Sequence, residues 1–95
     1  MEIQTKYFAA LREIVGKKIE TMQLDEGAQV QEVIKKLITT YGKPLEAQLF
    51  DDRGRLSASY QILINGINIG TLEGLATPLK EGDTIAILPP VGGGV

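Results

Sequence analysis

The sequence predicts an α+β domain in which a mixed sheet is crossed by one long helix, with short additional helices. Three observations carry that prediction. An alternating run opens the chain at residues 2–8, and a continuous helical stripe occupies residues 29–41. A strand then leads into Asn65-Gly66, the strongest hairpin signal present, and another strand covers Thr84–Leu88.

The first strand puts Ile3 and Tyr7 on one face, which turns Phe8 toward the other. Residues 9–15 favour a short helical turn. Gly16 ends it, because glycine accepts the left-handed conformation common after helices. A second extended run covers residues 17–24 and returns beside the first. Its apolar members Ile19, Met22 and Leu24 differ in parity, which implies either a bulge or a two-sided environment.

In the long helix, Val30, Val33, Ile34, Leu37, Ile38 and Tyr41 fall at i, i+3, i+4, i+7, i+8 and i+11. Gln31, Glu32, Lys35 and Lys36 take the opposite side, with Glu32 and Lys36 at the favourable i,i+4 spacing. Gln29 stands where a Ser, Thr or Asp cap belongs. Gly42 closes the helix, and Pro44 follows where it cannot continue. Residues 44–50 form another short helix, with Leu45, Leu49 and Phe50 at the core edge.

A charged loop at residues 51–55 precedes a central strand at residues 61–65. The hairpin return covers residues 67–69, and residues 77–83 read as a turn. The order is that of a β-grasp. Residues 1–88 make one domain, and residues 89–95 make a flexible C-terminal tail.

Composition narrows the function. The 95 residues are 43% hydrophobic and 23% charged, with a formal charge of -2, as in ordinary globular proteins. The lysines are scattered, so a nucleic-acid footprint is disfavoured. No cysteine is present, which excludes disulfides and thiolate metal sites within the chain. Histidine is absent too, removing the usual general base and the commonest metal ligand. No apolar run reaches the roughly 20 residues of a membrane span, and no signal-peptide pattern opens the chain. The expectation is a cytoplasmic protein that binds no metal and no cofactor. Asp25-Glu26 and Asp51-Asp52 read as solvated loops, and Lys17-Lys18 as a solvated turn or strand start.

The C-terminus is unusual. Pro89 and Pro90 cannot donate backbone hydrogen bonds and so stop the last strand. Val91, Gly92, Gly93, Gly94 and Val95 follow. At about 3.3 Å per residue, residues 89–95 reach roughly 23 Å beyond the strand. Glycines here are not a phosphate loop, since no helix follows to point its amides at an anion. Phe8 either joins Leu88 or the strand of Ile67 and Ile69 in an exposed patch, or tucks under the short helix.

These residues resemble the MoaD/ThiS group of sulfur carriers. Residues 7–16, Tyr-Phe-Ala-Ala-Leu-Arg-Glu-Ile-Val-Gly, resemble the N-terminal signature of MoaD-type proteins. Ile64-Asn65-Gly66 resembles their central hairpin, and residues 78–94, ending in Pro89-Pro90-Val91-Gly92-Gly93-Gly94, resemble their C-terminal run. The longer stretch at residues 65–79 is most similar to the archaeal-type branch.

The resemblance implies a ubiquitin-like β-grasp and a carrier rather than an enzyme, at most the non-catalytic small subunit of molybdopterin synthase. It implies an E1-like adenylyltransferase that uses ATP on the C-terminal glycine, and a sulfur donor that leaves a thiocarboxylate. The large subunit of molybdopterin synthase would then receive the sulfur for molybdopterin cofactor biosynthesis. Carried over, Gly94 is the adenylylation and thiocarboxylate site. Gly92 and Gly93 are the thread, and Pro89 and Pro90 the exit. Phe8, Arg12, Leu88 and Val91 are the candidate partner contacts. Val95 departs from the pattern by placing one β-branched residue beyond the glycine. A peptidase that removes it, a tolerant partner, or a paralogue without sulfur chemistry would each account for it. The rival functions are a ubiquitin-like modifier joined to lysines and a non-conjugating β-grasp binding module.

Overall fold

Alternation along the strands sets the architecture seen in the computed structural model, which describes residues 1–89. The elements run β1 (Glu2–Tyr7), α1 (Ala9–Val15), β2 (Ile19–Gln23), α2 (Val30–Tyr41), α3 (Lys43–Leu49), β3 (Gln61–Ile64), β4 (Ile67–Asn68) and β5 (Thr84–Leu88). Short 3-10 turns at Ile69–Thr71 and Gly74–Ala76 fill the passage from β4 to β5.

The strand order is β2-β1-β5-β3-β4, so the last strand enters the middle of the sheet. β1 and β5 are parallel, and the other pairs are antiparallel. The central position expected for β3 therefore belongs to β5, with β3 between it and the short edge strand β4.

One face of the sheet is the core. Ile3, Thr5 and Tyr7 of β1, Ile62 and Ile64 of β3, and Ile85 and Ile87 of β5 are all buried. The helical stripe supplies Val30, Val33, Ile34 and Leu37 to the same cluster, with Ile38 and Tyr41 half-buried at its margin. Leu11 and Val15 of α1 and Leu45 and Leu49 of α3 complete it. At about 25 cal/mol per Å² of apolar area, each such aliphatic side chain contributes roughly 1.5–3 kcal/mol on burial. Thr5 is the exception within this face, because its buried hydroxyl has no hydrogen-bond partner.

The parity question in β2 resolves without a bulge. Register is continuous from Glu2↔Gln23 to Lys6↔Ile19, so Met22 turns inward and Ile19 outward. The hairpin forms where expected. Asn65 (φ 49°) and Gly66 (φ 86°) take the two left-handed positions that this tight turn requires. Its return is shorter than expected, since Ile69 leaves the strand for a 3-10 turn and is buried. Residues 77–83 do more than turn. The Thr77 carbonyl accepts the Val30 amide at 3.0 Å, and the Leu79 amide donates to the Ala28 carbonyl at 2.9 Å, which ties this segment to the start of α2.

Gln29 is the cap residue of α2 as expected. Its own amide donates to the Glu32 carboxylate at 3.4 Å, a long bond, while its side-chain oxygen accepts from Gln31. Gly42 (φ 74°) joins α2 to α3, and Pro44 sits in the first turn of α3.

Candidate functional site

No helix among the described residues covers the outer face of the sheet. Register places Gln4, Thr84 and Thr21 in one row on this face, and Lys6, Ala86, Leu63 and Ile19 in the next. Ile19 is 44% exposed, and Leu63 and Ala86 are half-buried. One further position toward the C-terminal ends of β1 and β5 come Phe8 and Leu88, because Tyr7↔Ile87 are partners and both face inward. Phe8 is extended (φ -136°, ψ 153°), so the alternation of β1 carries through it.

Phe8 is 37% exposed and thus belongs to the open face rather than under α1. Its carbonyl accepts the Leu11 amide at 3.2 Å and the Arg12 amide at 3.4 Å, which makes it the N-cap of α1. Arg12 is exposed while Leu11 and Val15 are buried, so the helix presents Arg12 away from the core. Leu88 is half-buried, pairs with Gln61, and ends β5 immediately before Pro89. Phe8, Arg12 and Leu88 therefore share the sheet end from which the chain leaves β5. Ile67 and Ile69 do not join them. Ile67 pairs with Ile64 at the far edge, and Ile69 is in the core. Pro90, Val91, Gly92, Gly93, Gly94 and Val95 lie outside the described residues.

Sequence reasoning missed Glu20. Its carboxylate accepts the Tyr7 hydroxyl at 2.6 Å, the Tyr41 hydroxyl at 3.0 and 3.1 Å, and the Lys17 ammonium at 3.2 Å. The network ties the end of β1, the end of α2 and the α1–β2 loop to β2. Partial burial alone would raise the Glu20 carboxyl, but the bonds from Tyr7, Lys17 and Tyr41 hold it below the usual range. Burial first, and the Glu20 carboxylate second, push the Tyr7 hydroxyl far up. The signal in the sequence was the parity of Glu20 with Met22, which puts a carboxylate on the inner side of an edge strand.

Nothing else described offers chemistry. No group of three or more acidic, histidine or cysteine side chains among the described residues is placed to hold a metal ion. Asp51 is occupied within its own loop, accepting the Arg53 and Arg55 amides at 2.9 and 3.0 Å. A hollow of about 530 Å³ is open and lined by both signs of charge, with Asp25, Glu26, Glu32, Lys35 and Lys36. It lies between the β2–α2 loop and α2, away from the end of β5. No helix among the described residues is long and apolar enough to cross a membrane.

A five-stranded mixed sheet with α2 laid over its inner face and its last strand central defines a ubiquitin-like β-grasp protein. The ThiS family pattern matches residues 5–94, and this chain belongs to that family. Small archaeal modifier protein 3 of Haloferax volcanii is 36% identical over 94 residues, covering 99% of this chain and all of that protein. The molybdopterin synthase sulfur carrier subunit of Chlamydomonas reinhardtii is 29% identical over 94 residues, covering 99% of this chain and all of the subunit. The solution structure of small archaeal modifier protein 1 from Methanosarcina acetivorans has a TM-score of 0.81 and 41% identity. That match covers 98% of this chain and 96% of the other. The chain thus falls among small sulfur-carrier and ubiquitin-like modifier proteins, which are carriers and not catalysts.

Proposed function

We propose that this protein carries sulfur on its C-terminal carboxyl group, at Gly94 after removal of Val95, for the synthesis of a molybdopterin-type cofactor. One observation carries the reading: the family match extends through Gly94 and stops before Val95. The described residues supply a rigid platform with no catalytic constellation, so the chemistry falls to the carboxylate and to partner enzymes. An oxygen of the Gly94 carboxylate attacks the α-phosphorus of ATP, and pyrophosphate leaves. A sulfur nucleophile from a donor then attacks the acyl carbon, and AMP leaves with the C–O bonding pair. With a persulfide donor, a thiol then attacks the donor-side sulfur of the resulting acyl disulfide, so that the thiocarboxylate leaves with the S–S bonding pair and the donor remains as a disulfide. The partners are an E1-like adenylyltransferase, a sulfur donor, a peptidase for Val95 and a synthase large subunit that receives the sulfur. Phe8, Arg12, Leu88 and Val91 are the contacts offered to them.

A second reading has specific support. Two of the relatives above are named modifier proteins, at 36% and 41% identity. In that reading the same adenylate passes to lysines of other proteins.

The test uses the full chain and a form ending at Gly94, each incubated with the E1-like enzyme, ATP and a sulfur donor, then weighed intact. Exchange of oxygen for sulfur on the Gly94 form alone supports trimming followed by sulfur carriage. Adducts on lysines of other proteins favour the modifier. No adenylate on either form removes both in favour of a passive binding module.

A further inference from the structure

We infer that the sheet end where the chain leaves β5 is a charge-steered docking pole, and that its occupant is a protein surface with an acidic rim around an apolar centre. This rests on the carrier reading and specifies the partner it needs. The net charge of -2 hides a division along the strands. Lys6 is the last outward residue within β1, and Lys18 adjoins it, its carbonyl accepting the Tyr7 amide at 2.9 Å. Arg12, Lys17 and Lys18 line a shallow hollow of about 330 Å³ with Glu13 and Gly16. All four cationic side chains are exposed.

Lys17 is paired with Glu20 at 3.2 Å, whereas Lys6, Arg12 and Lys18 make no ion pair among the described residues. Glu13 is the opposing charge on α1. Glu20 is held by Tyr7, Tyr41 and Lys17. Phe8 and Leu88 form the apolar centre between these cations and the start of the C-terminal segment.

The other end of the same strands is acidic. Glu2, Asp25, Glu26, Glu81 and Asp83 gather there. The Gly82 amide bonds to the Glu2 carbonyl at 2.8 Å, and the Gln4 amide to the Asp83 carbonyl at 2.9 Å. The N-terminal ammonium, 3.5 Å from Glu26, together with Lys80 and with Lys35 and Lys36 in the hollow shared with Asp25 and Glu26, offsets part of this charge. A strand of this length separates the ends by roughly 17 Å, about twice the screening length of ~8 Å at physiological salt. A partner at one end therefore experiences that end and little of the other.

Each end holds both signs, with cations in excess where the chain leaves β5 and carboxylates in excess at the other end. Nucleic acid is the poorer occupant, because Phe8 is the one exposed aromatic among the described residues and Glu13 sits inside the patch. A second copy is poorer too, since its acidic end also carries Lys35, Lys36, Lys80 and the N-terminal ammonium.

The test measures ATP–pyrophosphate exchange by the E1-like enzyme of the same organism, with the Gly94-ending chain as substrate. A Lys6→Glu/Lys18→Glu double variant and Asp25→Lys at the opposite end accompany it. Electrostatic steering predicts that kcat/KM falls about tenfold on going from low salt to roughly 0.3 M, with kcat unchanged. The double variant starts about tenfold lower, converges with the parent at high salt, and keeps its Tm. Asp25→Lys matches the parent. Salt-independent kcat/KM together with an unaffected double variant overturns the inference while leaving the carrier reading intact. Absence of exchange with every form refutes the carrier reading instead, and a titration then decides the pole. Each protein, 15N-labelled, is titrated with a Glu-rich peptide containing Phe and Leu. Shifts at Lys6, Phe8, Arg12 and Lys18 uphold the pole. Shifts scattered over Lys35, Lys36 and Lys80, equal shifts with duplex DNA, or concentration-dependent self-association overturn it.

Discussion

The two faces of the sheet are built from alternate residues of the same strands and serve different ends. In β1, Ile3, Thr5 and Tyr7 are buried under the helices, while Glu2, Gln4 and Lys6 point to solvent. In β5, Ile85 and Ile87 face inward, and Thr84, Ala86 and Leu88 lie on the open side. The inner face fixes the fold, and in the proposed function the outer face with the end of β5 is what the partners meet. Substitutions on the two faces should therefore separate stability from partner recognition.

The largest effect belongs to the inner face of the central strand. Ile87→Ala removes a fully buried side chain and should cost about 2–5 kcal/mol, read from denaturant unfolding. A loss under about 1 kcal/mol would mean that the inner face does not hold the fold. Next comes Glu20→Gln, which weakens the bonds from Tyr7, Tyr41 and Lys17 and should cost about 1–2 kcal/mol at neutral pH. Its pH profile sharpens the assignment. The lowered Glu20 carboxyl contributes stability above its ordinary value near 4.3, and that contribution is lost as pH falls through the folded value. The raised Tyr7 hydroxyl contributes stability below about pH 10, lost as pH climbs toward its folded value. Glu20→Gln should remove the Glu20 share of the acid limb and reduce the alkaline limb in part, because burial is the larger cause at Tyr7.

Thr5→Val reverses the direction. It replaces a buried hydroxyl that has no partner with a methyl group, and should stabilise by about 1 kcal/mol in the same unfolding assay. A loss of stability would show that the hydroxyl is satisfied in solution. The smallest effect belongs to the outer face. Lys6→Gln should change stability by less than about 0.5 kcal/mol while slowing association with the activating enzyme at low salt. A marked fall in Tm would erase the distinction between the faces.

Much of this division could be read from residue order alone. The period-3.6 stripe of α2 and the period-2 runs of β1 and β5 each bury one side, so their hydrophobic patterns name the face. The Asn65-Gly66 turn is equally legible, because few residues accept two successive left-handed positions. Ile19 was ambiguous because parity tells which side a residue takes only after the partner register is known. The place of β5 at the centre of the sheet, rather than β3, depended on long-range pairing with β1, which no local pattern encodes. Glu20 escaped notice because its partners come from three other parts of the chain. The basic and acidic ends were hidden for a similar reason: the antiparallel return of β2 brings Lys18 back beside the end of β1, and the parallel pairing of β1 with β5 brings Glu81 to Glu2. For the site itself, Phe8, Arg12 and Leu88 do share one end of the sheet, whereas Ile67 and Ile69 belong elsewhere.

The central claim is that the fold is a platform and the terminal carboxyl of Gly94 is the reacting group. Semisynthesis gives two chains that differ only there, one ending in the Gly94 carboxylate and one in its carboxamide. ATP–pyrophosphate exchange by the E1-like enzyme should occur with the carboxylate form and vanish with the carboxamide form, while both bind the enzyme with similar affinity. Equal exchange with the two forms would contradict the account.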